Sequence, residues 1–205
     1  MPAEPNRKRV VAFFDGQNLF HAAKEAFGHG YPNYDCLSLA QAVVSVQSDW
    51  RLKECRFYTG VPDAADNARW HNFWQKKLLA MSRQGVRTYT RPLRYRNKTV
   101  RIGSTQTTVL TGDEKGIDVR IALDMIRLAH RQELDVALVF SQDQDLAEAA
   151  AELRTIAREQ GRWIKAASAF PVSPTSRNKR GVNATDWIKI DRAMYDTCLD
   201  PRDYR

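Results

Sequence analysis

The sequence predicts an α/β fold in which a parallel β-sheet carries helices on both faces. Short apolar runs alternate with longer segments of helical periodicity, which is the order that builds βαβ units. Two of these runs, VVAFF at 10–14 and LDVALVF at 134–140, are apolar except for Asp135, as expected for strands that are covered on both faces. A length of 205 residues suits one compact domain with additions to it.

The first half of the chain supplies two strands and three helices to this prediction. Residues 10–15 form a strand, and two short helices follow at 19–27 and 37–46. The strand at 55–62 leads into a longer helix at 63–82, because large apolar residues recur there at helical spacing. These residues, which we interpret as core and not as a base-stacking platform, are Trp70, Phe73, Trp74 and Leu78.

The second half of the chain begins with a basic β-hairpin. A half-polar strand at 86–92 leads into a hairpin at 94–103, whose turn is predicted at Asn97 and Lys98. The remaining elements alternate between helix and strand, at 115–130, 134–141, 145–160 and 163–168. The helix at 115–130 is the clearest of these, because its apolar residues share one stripe.

The composition favours a polyanionic partner. The formal net charge is +8, and the sequence pI is about 9.6. Basic residues from Arg83 to Arg101 follow one another with no acidic residue between them, although a solvated cationic face explains this run equally well. Cys36, Cys55 and Cys198 form no C-x-x-C pair, so neither a disulfide framework nor a zinc site is expected.

No feature of the sequence predicts export or membrane insertion. Apolar runs stay well below the ~20 residues that a bilayer-spanning helix needs. The first ten residues, MPAEPNRKRV, contain a basic cluster without the apolar segment of a secretory signal. We therefore expect a cytoplasmic protein with no membrane partner.

Acidic residues follow two of the predicted central strands. Asp15 comes directly after VVAFF, and Asp143 and Asp145 follow LDVALVFS. The carboxyl ends of parallel strands meet at one edge, where ligands of α/β sheets bind, and the helix that carries Asp118 begins near that edge. Each acid also has a local interpretation. Asp15 can cap a helix, and Asp143 and Asp145 can interact favourably with the dipole at the start of the following helix. Asp118 can pair with Lys115 or face solvent.

A cluster of carboxylates predicts a metal site. Neighbouring acids raise one another's pKa, and a divalent cation relieves this conflict. Donors that are all Asp select hard ions such as Mg²⁺ or Mn²⁺, which activate water and neutralise charge on a phosphodiester. Asp124 shares a helix stripe with Ile121 and Leu128, so it is either a buried structural acid with a partner or a support for the site.

Three segments of the chain, FFDGQNLF, EKGIDVRIALD and SQDQDL, together resemble the NYN domain family of PIN-like nucleases. The resemblance runs from about Val10 to Trp163, and the tail TDWIKIDRAMYD resembles the C-terminal extension of some bacterial members. It implies a Rossmann-like, PIN-like parallel sheet and metal-dependent ribonuclease activity on single-stranded or structured RNA. The last family motif usually reads S-G-D-x-D-F, so Gln142 and Leu146 depart from it.

The motifs and the chemistry together predict the site residues. The predicted metal ligands and catalytic acids are Asp15, Asp118, Asp143 and Asp145, the last as a fourth ligand or as the residue that positions a water. Asn18 and Ser141 orient these carboxylates or the scissile phosphate, unless they only cap helices. Lys115 either offsets charge on the transition state or faces solvent. The expected reaction is hydrolysis of an RNA phosphodiester that leaves a 5′-phosphate and a 3′-hydroxyl.

The hairpin is the predicted RNA-binding surface. Its basic residues are Arg91, Arg94, Arg96, Lys98 and Arg101. The predicted organisation is a basic arm at 1–8, a nuclease domain at 9–168, and a loop with a C-terminal extension at 169–205 that packs on the same domain. RNA is the expected partner, with a homo-oligomer as a further option. The competing hypothesis is a non-catalytic module of the same fold that binds RNA or a protein.

Overall fold

A computed structural model describes residues 2–102 and 105–204, with the side chains of residues 94, 96–98, 100–111 and 113 outside the description. The strands are β1 (Lys8–Asp15), β2 (Trp50–Val61), β3 (Arg87–Pro92), β4 (Arg94–Ile102), β5 (Thr105–Asp113), β6 (Val136–Phe140), β7 (Lys165–Pro171) and β8 (Asp186–Ile190). The helices are α1 (Gly16–Phe27), α2 (Cys36–Ser45), α3 (Ala64–Arg83), α4 (Ile117–His130), α5 (Ala147–Glu159) and α6 (Arg192–Thr197).

The main sheet has six strands in the order β3-β2-β1-β6-β7-β8, and all five pairings between them are parallel. The chain first builds outward from β1 through β2 and β3. It then crosses back to place β6 against the other side of β1. This reversal makes the carboxyl ends of β1 and β6 the point at which ligands of doubly wound sheets bind. The predicted α/β fold is confirmed.

Alternation along the strands divides the core between the two faces of the sheet. On β1, Val10, Ala12 and Phe14 belong to the cluster that α1, α2 and α3 cover. Val11 and Phe13 belong to the cluster that α4 and α5 cover. Because side chains of a strand alternate, the next odd position, Asp15, lies on the α4 side of the sheet.

The β-hairpin differs from its prediction. Asn97 and Lys98 lie in the middle of β4, where they pair with Leu110 and Val109 of β5, so a turn at these two residues is wrong. Each strand of the hairpin has nine residues. The segment TQTTV, for which the sequence predicts no element, is rich in β-branched residues and supplies the partner strand. The hairpin forms a separate two-stranded sheet beside the main one.

The C-terminal segment is part of the same core. β8 pairs with β7 at the edge of the main sheet, and Tyr195 of α6 is fully buried. Lys77 is also fully buried, and its ammonium donates to Asp200 at 3.2 Å and to the carbonyl of Tyr34 at 2.8 Å. This ion pair ties the end of the chain to α3. No helix in the described residues is long and apolar enough to cross a membrane.

Candidate functional site

Asp15 lies at the last position of β1 and is also the N-cap of α1. Its Oδ1 accepts a hydrogen bond from the backbone N–H of Asn18 at 3.1 Å, so the capping interpretation of Asp15 is correct. Only 5% of the residue is exposed. The pKa of Asp15 is raised to about 6, mainly by burial and also by the negative charges of Asp143 and Asp118, although its two hydrogen bonds act in the opposite direction. The ionised carboxylate is therefore held in an unfavourable environment.

The chain after β6 forms a compact corner beside Asp15. The hydroxyl of Ser141 is buried, donates to Oδ2 of Asp15 at 3.1 Å and accepts from the backbone N–H of Asp143 at 3.0 Å. Asp143 in turn caps a single 3₁₀ turn at Gln144–Leu146 by accepting from the N–H of Asp145 at 3.0 Å. The corner places Asp143 and Asp145 next to the end of β1.

Asn18 connects the two strand ends and does not cap its own helix. It lies inside the first turn of α1, and its Oδ1 accepts from the backbone N–H of Gln142 at 2.8 Å. Gln142 stands where the family motif usually has glycine. Among the described residues, positive φ outside glycine occurs only at Gln132 and Ala184, so position 142 needs no glycine conformation here.

Two glutamines of this corner hold a basic loop, defined here as residues 172–185. The amide of Gln142 donates to the carbonyl of Arg180 at 2.8 Å and to that of Asn178 at 3.4 Å. Gln144 donates to the carbonyl of Gly181 and accepts from the N–H of Asn183, both at 3.1 Å. The loop therefore presents three exposed basic residues beside the site, namely Arg177, Lys179 and Arg180.

A fifth acid, Glu114, is absent from the sequence-based prediction. It precedes α4 and accepts a hydrogen bond from the backbone N–H of Gly60, where a Cβ would lie only 2.8 Å from Oε2 of Glu114. Burial raises the pKa of Glu114 to about 8, and the charges of Asp15 and Asp118 act in the same direction. The one signal in the sequence is its place beside Lys115 in EKGID. That signal is insufficient, because the predicted hairpin is too short to show that the chain returns to the sheet edge at Glu114.

The start of α4 completes the arrangement. Gly116 adopts a left-handed φ of 74° as the N-cap, a conformation that suits glycine, and no side chain caps the helix there. Asp118 lies in the first turn, where its charge also favours the helix dipole. Lys115 is exposed at the same opening.

One cavity of about 580 Å³ unites these groups. It is lined by Asp15, Asn18, Glu114, Lys115, Asp118, Asp143 and Asp145, together with His21 of α1. Among the described side chains, no lysine or arginine lies at ion-pair distance from any of the five acids. Within the same part of the chain, no three potential ligands are already grouped closely enough to hold a metal ion. The oxygen donors nevertheless match a hard cation, because Asp15 keeps a lone pair on each oxygen beyond its two hydrogen bonds.

Asp124 does not reach this cavity and has a structural environment. It is 4% exposed and accepts from the hydroxyl of Tyr58 at 2.8 Å. Its carboxylate also pairs with three arginines, namely Arg56 at 3.3 Å, Arg120 at 3.1 Å and Arg127 at 2.8 Å. Of the two interpretations of Asp124, the buried structural acid fits these contacts.

The predicted RNA-binding residues of the hairpin are described only in part. Arg91 is exposed, stacks over the ring of Tyr89 and lies against Gly116 at the start of α4. It is therefore next to the acidic cavity. The side chains of Arg94, Arg96, Lys98 and Arg101 lie outside the described residues.

The model of one protein family, the NYN domain, matches residues 9–185. The chain belongs to the NYN domain family. This NYN domain has the PIN-like nuclease fold, and the predicted family is confirmed. The match extends beyond the predicted range to include the basic loop and its approach to β8. No curated protein matches the chain.

One solved structure supports the fold of the NYN domain. The crystal structure of VPA0982, a protein of unknown function from Vibrio parahaemolyticus RIMD 2210633, is 19% identical, with a TM-score of 0.53 over 93% of this chain and 97% of that chain. MurG from Acinetobacter baumannii is 11% identical with a TM-score of 0.33, over 89% of this chain and 45% of that one, a similarity too low to indicate a relationship.

Proposed function

We propose that this protein is an endoribonuclease that uses Mg²⁺ or Mn²⁺ to hydrolyse single-stranded or structured RNA. The observation that carries the proposal is the shared cavity of five acids at the switch point of the sheet. None of these acids has a cationic partner among the described side chains. A group of acids without such partners does not stabilise a fold, because negative charges that lie close together repel one another.

A bound divalent cation accounts for this arrangement. Asp15, Asp118 and Asp143 are the residues proposed to hold it, with Asp145 or Glu114 as a further ligand. When bound, such an ion supplies charge neutralisation at the phosphate and a nucleophilic water at neutral pH.

The remaining polar residues position the acids and the substrate. Ser141 and Asn18 fix the carboxylate of Asp15 and the corner after β6 through their hydrogen bonds. The exposed ammonium of Lys115 offsets negative charge on the phosphate. Arg91 and the basic loop flank the cavity, so an RNA backbone meets cations on both sides of the acids.

The test measures cleavage of an end-labelled single-stranded RNA with Mg²⁺, with Mn²⁺ and with EDTA. We expect metal-dependent cleavage that falls by at least about 100-fold in Asp15→Asn and Asp143→Asn, with RNA binding retained. The matched control is Asp186→Asn, which removes an exposed acid that pairs with Lys165 on β7. This variant should cleave like the wild type.

A second readout follows the metal directly. Mg²⁺ or Mn²⁺ should raise the melting temperature of the wild type and of the control but not of Asp15→Asn. If the metal-loaded wild type binds several RNAs and cleaves none of them, the proposal fails and the non-catalytic RNA-binding module replaces it. A DNA strand of the same sequence, tested alongside the RNA, determines whether cleavage requires the 2′-hydroxyl.

A further inference from the structure

A second cavity adjoins the acidic one and has a different chemistry. It encloses about 380 Å³, and its lining includes the rings of Phe20, Trp70, Trp74 and Tyr95. The two cavities share three lining residues, namely Gln17, His21 and Gly112. A ligand that reaches from one cavity into the other therefore meets carboxylates at one end and aromatic rings at the other.

The backbone explains why these rings face a cavity. α3 is interrupted at Asn67, whose φ of −156° and ψ of 82° are not helical. The side chain of Asn67 accepts from the N–H of Trp70 at 3.2 Å and so restarts the helix at this point. Trp70 packs edge-on against Phe73 with ring centroids 5.1 Å apart, and it stays half-buried.

The hairpin supplies the opposite side of the cavity. Tyr95 of β4 pairs with Gly112 of β5, and a Cβ at position 112 would lie 3.3 Å from the ring of Tyr95. The glycine therefore lets the ring lie close to the backbone between the two cavities. The aromatic residues thus differ in role: Phe73 and Trp74 are buried in the core, whereas Trp70 is half-buried at its edge.

We propose that this aromatic cavity binds a nucleobase of the RNA strand whose phosphate occupies the acidic cavity. The proposal rests on the proposed function, because it takes the acidic cavity as the phosphate site. Flat aromatic rings stack on any base, and the amides of Gln17 and Asn67 offer hydrogen bonds to a base edge.

The charges around the cavity favour a base over a second phosphate. Burial raises the pKa of Tyr95, and the negative charges of Asp66 and Asp63 act in the same direction. A phosphate beside these acids is repelled, whereas a neutral base is not. The base therefore enters this cavity while the backbone follows the acids and the basic residues.

The test compares two RNA oligonucleotides of equal length and charge, one of which carries abasic sites. Binding is measured by fluorescence anisotropy on the Asp143→Asn background, so that no cleavage is needed. We expect the abasic RNA to bind about 10-fold more weakly. The difference should vanish when Tyr95→Ala and Trp70→Leu are added, and it should persist with Tyr95→Phe, which keeps the ring.

The outcomes separate this proposal from the proposed function. Equal binding of both RNAs by ring-containing protein overturns the base cavity, even where the wild type cleaves RNA with metal. If the abasic RNA binds more weakly and this difference depends on the aromatic rings, the result supports the proposed base cavity, even where no cleavage occurs. Circular dichroism and the melting temperature establish that each variant is folded. If Trp70→Leu does not fold, Tyr95→Ala alone against Tyr95→Phe decides the question.

Discussion

The acids at the edge of the sheet contrast with the buried acids elsewhere in the molecule. Asp124, Asp135 and Asp200 each pair with two or more cationic side chains. Asp15 is buried to the same degree as Asp124, yet no described lysine or arginine pairs with it. Although burial opposes ionisation of Asp135 and Asp200, the arginines beside them hold the pKa of both carboxyls below the ordinary value, whereas burial raises the pKa of Asp15.

This difference separates the structural acids from the acids that we propose to hold a metal ion. An ionised carboxylate inside a protein needs a positive partner, and the chain provides such partners for Asp124, Asp135 and Asp200. At the end of β1, no lysine or arginine among the described side chains pairs with Asp15. Keeping the carboxylate of Asp15 ionised therefore lowers the stability of the fold. A bound cation, or a cationic side chain introduced by substitution, would restore this stability.

Asp124→Asn is expected to have the largest effect on stability. The amide keeps the size of the side chain and its contact with Tyr58, but it leaves three guanidinium groups without their shared counter-charge. The free energy of unfolding should fall by about 3 kcal/mol, because one partner of a buried ion pair is removed. Urea denaturation measures the change, and Asp186→Asn should stay within roughly 0.5 kcal/mol of the wild type. A decrease no larger than that of the control would contradict the structural role of Asp124.

Asp15→Asn should change stability in the opposite direction in metal-free protein. Its folded pKa of about 6 exceeds the value of ~3.9 in an unfolded chain, so the wild type loses stability as the pH rises from about 4 to 6. The asparagine variant has no such loss and should be more stable by roughly 1–3 kcal/mol at a pH of about 8. The two proteins should converge at a pH of about 4. Urea titrations at both pH values measure this. A variant that is less stable at the higher pH would show that the hydrogen bonds of Asp15 stabilise the fold by more than its charge destabilises it.

Local patterns were sufficient to predict the main sheet. The apolar runs at β1 and β6 and the helical stripe of α4 each determine their own conformation, and parallel pairing follows from their alternation. The sequence predicted a β-hairpin here, but the strands of the hairpin are longer than predicted. Asn97 and Lys98 are good turn residues, and only the pairing with Leu110 and Val109 shows that they continue a strand.

The position of a candidate site residue could be predicted where the residue directly follows a main-sheet strand. It could not be predicted where contacts between distant segments bring the residue to the cavity. Asp15, Asp143 and Asp145 follow apolar runs in the sequence, so their place at the edge could be inferred. Glu114 follows no main-sheet strand, and it reaches the cavity only through its bond to Gly60. The position of the basic loop was likewise not predictable, because its attachment to Gln142 joins two segments that are far apart in the chain.

The smallest effect concerns that attachment. Gln142→Ala with Gln144→Ala removes the side-chain bonds to Arg180, Gly181 and Asn183 and should cost roughly 1–2 kcal/mol. Amide hydrogen exchange should accelerate at Asn183, and the slope of log RNA affinity against log salt should become shallower by about 0.7 for each phosphate that the basic loop no longer neutralises. Gln160→Ala, which removes a comparable bond to the carbonyl of His130, is the matched control and should leave the slope unchanged. An unchanged slope in the double variant would mean that the basic loop supports the fold without touching RNA.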